Sequence, residues 1–130
     1  MAIGRDVYCD TRLMIRKLEE LYPEGTLSNK SPEGKGIEAL LEMWTIDGYF
    51  WRVATLLPPT FPMINKEWLE DRADMTGGKF RADPPEIARP EAVAHVLAAL
   101  ELLEHTFLAD GRQWILNTEK PTLADINGVY

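Results

Sequence analysis

Met1-Ala2-Ile3-Gly4-Arg5-Asp6-Val7-Tyr8-Cys9-Asp10-Thr11-Arg12-Leu13-Met14-Ile15 is the stretch on which the fold turns. A short apolar lead-in, a tight polar turn at Gly4-Arg5-Asp6, a brief Val7-Tyr8 strand and a helix capped by Asp10 or Thr11 follow one another without spacer. A strand this short needs a sheet to pack on, so the segment reads as the end of a fold rather than its start. Where the strand hands over to the helix, unpaired backbone N–H groups converge with the positive end of the helix dipole. A small carboxylate suits that point. An N-cap worth ~1 kcal/mol would also account for Asp10 or Thr11.

The far end carries a second signal. Pro121-Thr122-Leu123-Ala124-Asp125-Ile126 has the form of a capping box, in which Thr122 caps the Asp125 N–H and Asp125 reaches back to Thr122. A loop, Asp110-Gly111-Arg112-Gln113-Trp114-Ile115-Leu116, comes before it.

Together the two ends resemble glutathione transferases. The opening resembles the fourth strand and third helix of that family's thioredoxin-like domain, although Leu13-Met14 departs from the family's Ala-Ile. The Thr122-to-Asp125 box is similar to the approach to helix six of the family's C-terminal domain. The resemblance implies that Thr11 binds the γ-glutamyl carboxylate of glutathione through its hydroxyl and N–H, with Asp10 near the ammonium. It also implies thiolate attack on a small electrophile. In the family the thiol-activating Ser, Cys or Tyr comes from the first strand-to-helix turn, which would lie before Met1, so no catalytic residue is assigned in this chain.

Composition fits a globular domain: 130 residues, 45% hydrophobic, 27% charged and 9% aromatic. The net charge of -7 argues against a nucleic-acid surface, which calls for clustered Lys and Arg. A single cysteine, Cys9, rules out an internal disulfide framework and fits a reducing, cytoplasmic setting. The N-terminus lacks the apolar core of a signal peptide, and no apolar run approaches the ~18 residues of a membrane helix. No membrane partner is therefore expected.

Periodicity is helical almost throughout. From Thr11 to Tyr22, Met14, Leu18 and Leu21 form a stripe widened by Leu13 and Tyr22, which predicts one buried face. Tyr22-Pro23-Glu24-Gly25 ends this helix, and residues 26–36, rich in Ser, Lys, Gly and Pro, read as a surface linker. From Ile37 to Leu57 a long helix presents Ile37, Leu40, Leu41, Trp44, Gly48 and Trp51, and Pro58-Pro59 stops it. Asn65 caps a shorter helix that ends at Gly77-Gly78. After Asp83-Pro84-Pro85, Pro90 suits the first turn of a helix whose stripe is Val93, Leu97, Leu100, Leu103 and Phe107. Asp110-Gly111 closes it, and Thr122 opens a last helix cut off at Tyr130.

The predicted fold class is therefore mainly α: a helical bundle like the transferase C-terminal domain, preceded by a strand-helix remnant of a thioredoxin-like α/β domain. Residues 1–25 form the remnant, 26–36 the linker and 37–130 the helical domain, truncated in its last helix.

Other chemistry is sparse. His95 and His105 lie ten residues apart with no acidic or Cys partner at metal-ligand spacing, so no metal site is expected. Cys9 is expected on the buried face of its strand. Glu19-Glu20 and Glu67, Glu70 and Asp71 read as solvated helix faces, and Asp74 and Asp110 as turn residues. Trp44 and Trp51 belong to the apolar stripe. The resemblance places a co-substrate pocket along the helix after the linker, where Tyr49 and Phe50 are the candidates.

Charge-assisted hydrogen bonds contribute ~1.5–3 kcal/mol each, against an association cost of at least ~4 kcal/mol. Glutathione is accordingly expected to bind this chain no tighter than about millimolar. The alternative function is a non-catalytic interaction or homodimerisation module of the same fold. An unrelated helical bundle remains if the two end motifs coincide by chance.

Overall fold

The computed structural model describes residues 1–58, 60–78 and 87–129. The predicted stop at Pro59, the Asp83-Pro84-Pro85 turn and the end of the last helix at Tyr130 lie outside them.

A two-residue turn folds the N-terminus back on itself. β1 (Ala2–Ile3) pairs antiparallel with β2 (Asp6–Val7), in the register Ala2 to Val7 and Ile3 to Asp6. Gly4, at φ 61°, takes the first central position, where the II′ class of hairpin turn requires a positive φ. The Tyr8 N–H donates to the Met1 carbonyl at 2.7 Å, and the Met1 ammonium donates to the Tyr8 carbonyl at 2.9 Å. Cys9 then turns outward and is exposed, contrary to the alternation expected of it, because the ladder has ended before it.

α1 (Thr11–Leu21) starts at Asp10, whose carboxylate accepts the Arg12 N–H at 2.9 Å. Its predicted apolar face is not buried. Leu13, Leu18, Leu21 and Tyr22 are exposed and only Met14 of that stripe is half-buried, while the side turned toward the other helices carries Arg12, Met14, Ile15 and Glu19. Polar ties to the following loop, rather than an apolar stripe, hold this helix.

The segment read as a linker contributes its last residues to α2 (Pro32–Trp44). Ser31 caps this helix by accepting the Gly34 N–H at 2.9 Å, and Pro32 supplies the fixed φ favoured at the first helical position. Gly34 is buried against Asn29, so that a Cβ there would collide with the Asn29 side chain. Gly34→Ala is therefore expected to cost about 1–3 kcal/mol, read as a lower urea midpoint at unchanged m-value.

α2 runs without a break through a π-turn, Thr45–Tyr49, into α3 (Phe50–Leu56). The extra residue in the π-turn shifts the register, so a single stripe along the whole helix is not kept. Leu41 is buried and Ile37, Trp44 and Trp51 are half-buried, while Leu40 is 67% exposed. α4 (Lys66–Met75) is capped by Asn65 through the Trp68 N–H at 2.8 Å, and the Gly78 N–H closes it on the Ala73 carbonyl. These local signals behave as predicted.

α5 (Ala88–Leu102) continues into a second π-turn, Leu103–Phe107, with Pro90 in its first turn. The inward positions are Ala92 and Ala99, at 2% and 4% exposure, followed by half-buried Leu103 and Phe107. Val93, Leu97 and Leu100, predicted on the buried stripe, are exposed. The helix is apolar on both sides, and small alanines let α3 approach closely on the other one.

α6 (Leu123–Val129) lies against α2. Between them sits the core of Leu41, Ile115 and Ala124, with Ile37, Trp44, Leu103, Phe107 and Leu116 packed around it. The architecture is mainly helical, with one small hairpin among the described residues.

Candidate functional site

The handover from hairpin to α1 places Asp10 and Thr11 where the sequence predicts them. Asp10 stands at φ 76° and ψ 132°, a backbone conformation that non-glycine residues avoid and that costs of order 1–3 kcal/mol. Its side chain caps the helix, so the orphan N–H groups of the first turn point into the same region as the carboxylate. Thr11 is the first helical residue and is exposed. Both residues face solvent, with one Asp10 oxygen committed to the Arg12 N–H.

Behind this end, two carboxylates organise the chain, one read as solvated from the sequence and one not singled out there. Glu19, expected on a solvated face, accepts hydrogen bonds from the Thr26 hydroxyl, from the Leu27 N–H at 2.9 Å and from the Ser28 N–H at 3.3 Å. Glu38, only 5% exposed, accepts from the Ser28 hydroxyl at 3.1 Å and the Asn29 N–H at 2.8 Å. The Leu27 carbonyl in turn accepts from the Leu123 N–H at 3.0 Å. Residues 26–29 therefore clip α1 to α2 and α6.

Burial pushes the Glu19 carboxyl up, but the Thr26, Leu27 and Ser28 donors outweigh it and hold the group below its ordinary 4.5. A folded pKa below the unfolded one gives stability that is fully present above the unfolded value and is lost as pH falls through the folded value. Glu19→Gln is therefore expected to be less stable than the native chain at neutral pH. The difference should close as pH falls from about 6 to about 3, which urea melts across that range would read.

Under α1, against α2 and α6, runs a cleft of adjoining cavities. One, of 420 Å³, is lined by Arg16, Lys35, Glu19, Glu38 and Glu42 among others. The next, of 260 Å³, is walled by Met14, Ile15, Ile46 and Ile126, with Arg12 and Glu42 at its rim. Ile15, Glu42 and Asn127 are common to both. Thr45, buried at 1% exposure, donates its hydroxyl proton to the Asn127 carbonyl, and the Asn127 amide donates to the Glu38 carbonyl at 3.3 Å.

The Thr122-to-Asp125 box is formed and buried. The Asp125 carboxylate accepts the Thr122 N–H at 2.7 Å and the Thr122 hydroxyl at 3.0 Å, and its other oxygen accepts the Ile115 N–H at 2.6 Å. The Thr122 hydroxyl oxygen accepts from the Ala124 N–H rather than from Asp125, so the expected reciprocity is altered on that arm. In the preceding loop the Arg112 side chain, and then its N–H, hold the Asp110 carboxyl down to about 2. Asp110 is thus a turn residue locked to its own loop.

Tyr49 stacks on Trp44 with ring centroids 5.2 Å apart, and Phe50 meets Trp51 edge-on at the same separation. Neither lines the cleft under α1. His95 is half-buried and His105 exposed, and among the described residues no three His, Cys, Asp or Glu side chains group to hold a metal ion. Among those residues, too, no helix is long and apolar enough to cross a membrane.

A family model described as Domain of unknown function (DUF7962) matches residues 52–130. The matched segment carries Ile115 and Ala124 of the core, whereas Leu41, which closes that core, comes from α2 outside it. No curated protein and no solved structure matches the chain.

Proposed function

For a chain that belongs to the DUF7962 family, we propose a glutathione transferase-like role in which Asp10 and Thr11 receive the γ-glutamyl end of glutathione. In the full activity the glutathione thiolate would be transferred to a small electrophile in a cytoplasmic, reducing setting. Asp10 and Thr11 contribute binding, and no catalytic residue is assigned. The helical bundle would correspond to the C-terminal domain of such transferases, and the hairpin with α1 to the end of their thioredoxin-like domain.

The observation that carries this reading is the strained backbone of Asp10 at a helix start. Strain held in place by surrounding bonds concentrates at ligand clamps, and here it coincides with the residue singled out by resemblance. The formed Thr122-to-Asp125 box supports the same family reading at the other end.

Titration of the ¹⁵N-labelled chain with glutathione is expected to shift the Thr11, Arg12 and Leu13 amides, with saturation at about millimolar concentration. Cysteinylglycine, which lacks the γ-glutamyl group, should leave them in place. Shifts of equal size with both compounds, or micromolar binding, would count against the proposal. Asp10→Gly should weaken the glutathione shifts while raising stability by about 1 kcal/mol, since it relieves the strain at only a small capping cost.

A second reading, a non-catalytic interaction or homodimerisation module, is favoured by the exposed apolar residues Leu40, Met43, Val93, Leu97 and Leu100. Sedimentation that gives a dimer without glutathione binding would select it.

A further inference from the structure

The cleft under α1 contains a charged group whose hydrogen bonding is incomplete. Arg12 Nε and Nη2 are shut off from solvent and donate to no acceptor. The nearest carboxylate oxygen, Oε2 of Glu42, stands 3.7 Å from Nε, a charge pair too long to be a hydrogen bond. The side chain as a whole is 31% exposed, but donors shut off from water without acceptors are costly, and Arg offers its donors in a planar fork suited to a carboxylate.

Beside Arg12 lies the 260 Å³ cavity, whose walls are mostly Met14, Ile15, Ile46 and Ile126. Of its other polar groups the Thr45 hydroxyl and the Asn127 amide and carbonyl are hydrogen-bonded, and the Thr11 side chain lies at the same wall. Glu42 forms part of the wall shared with the 420 Å³ cavity, where neither the Arg16 guanidinium nor the Lys35 ammonium has an ionic or hydrogen-bond partner among the described residues.

The geometry points to a binding site for a small amphipathic anion, a carboxylate on a compact apolar body such as an arylalkanoate. The body lies between Met14, Ile15, Ile46 and Ile126, and the carboxylate accepts from Arg12. Glu42, displaced from Arg12, turns toward Arg16 and Lys35 in the neighbouring cavity, so no charge is left alone. Thr11 also lines this cavity, but the anion is held by Arg12 and the apolar walls rather than by Asp10 or the Thr11 hydroxyl, so the site does not depend on the glutathione reading.

The test is a titration of 4-phenylbutyrate into chain labelled at the isoleucine methyls. Saturable shifts at the Ile46 and Ile126 methyls are expected, with 4-phenylbutyramide and acetate at least about tenfold weaker, because one lacks the charge and the other the apolar body. Arg12→Gln should weaken binding about tenfold, and Glu42→Gln should strengthen it by freeing Arg12. Amide binding equal to that of the acid, or weaker binding by Glu42→Gln, overturns the proposal. The acid and amide comparison on the native chain decides the matter even if Arg12→Gln does not fold. Glutathione titrated alone should leave both methyls unmoved, so failure of the Asp10 and Thr11 reading is separable from failure of this one.

Discussion

Asp125→Ala is expected to cost the fold about 3–5 kcal/mol, a large share of the ~5–15 kcal/mol that holds a domain of this size. The carboxylate serves three donors at once, the Thr122 N–H, the Thr122 hydroxyl and the Ile115 N–H, and Asp125 is only 8% exposed. Alanine leaves two backbone donors buried without acceptors, at about 1–3 kcal/mol each, while the hydroxyl can rotate to another partner. Ile115 belongs to the core, so its misplacement also disturbs contacts with Leu41 and Ala124. Asp125→Asn keeps one oxygen acceptor and should cost distinctly less. Urea melts of the two variants check both statements, and equal losses would show that the acceptor count is not what matters.

Glu38→Ala is expected to cost about 2–3 kcal/mol, the second largest effect. Its carboxylate is the acceptor for both the Ser28 hydroxyl and the Asn29 N–H, and nothing else in the described chain takes those bonds. Losing them unclips the loop from α2 and weakens the seat of α1, which has no well-packed apolar face of its own. Hydrogen exchange should therefore speed up at Asn29 and along α1 before it does in α6. Glu38→Gln, which retains an oxygen, should cost less than half as much. Uniformly faster exchange across the whole chain would instead mean that Glu38 supports global stability rather than this clip.

The features legible in the sequence share one property: their partners are close in the chain. Asp10, Asn65 and Thr122 cap helices within three residues, Pro90 sits in a first turn, and the Asp110 and Arg112 pair is confined to its own loop. Backbone geometry and side-chain reach decide such contacts, and both can be read from spacing. The start of α2 at Ser31-Pro32 is a local signal of the same kind, a Ser cap followed by Pro, although the Ser, Lys and Gly composition around it reads as a linker.

The sequence by itself determined that this protein is mainly helical, where most of its helices begin, and that Asp10, Thr11, Thr122 and Asp125 stand at helix starts. Only the tertiary structure decided which faces are covered. α5 carries apolar residues on both sides, so periodicity could not choose between the Val93 side and the Ala92 side; the alanines are the ones that are buried, on a helix whose main neighbour is α3. It also gave Glu19, Glu38 and Thr45 their roles, because their partners lie from seven to 82 residues away. The physical reason is the same in each case. A buried carboxylate or hydroxyl is stable only where donors and acceptors converge on it, and that convergence is made by folding rather than by local spacing.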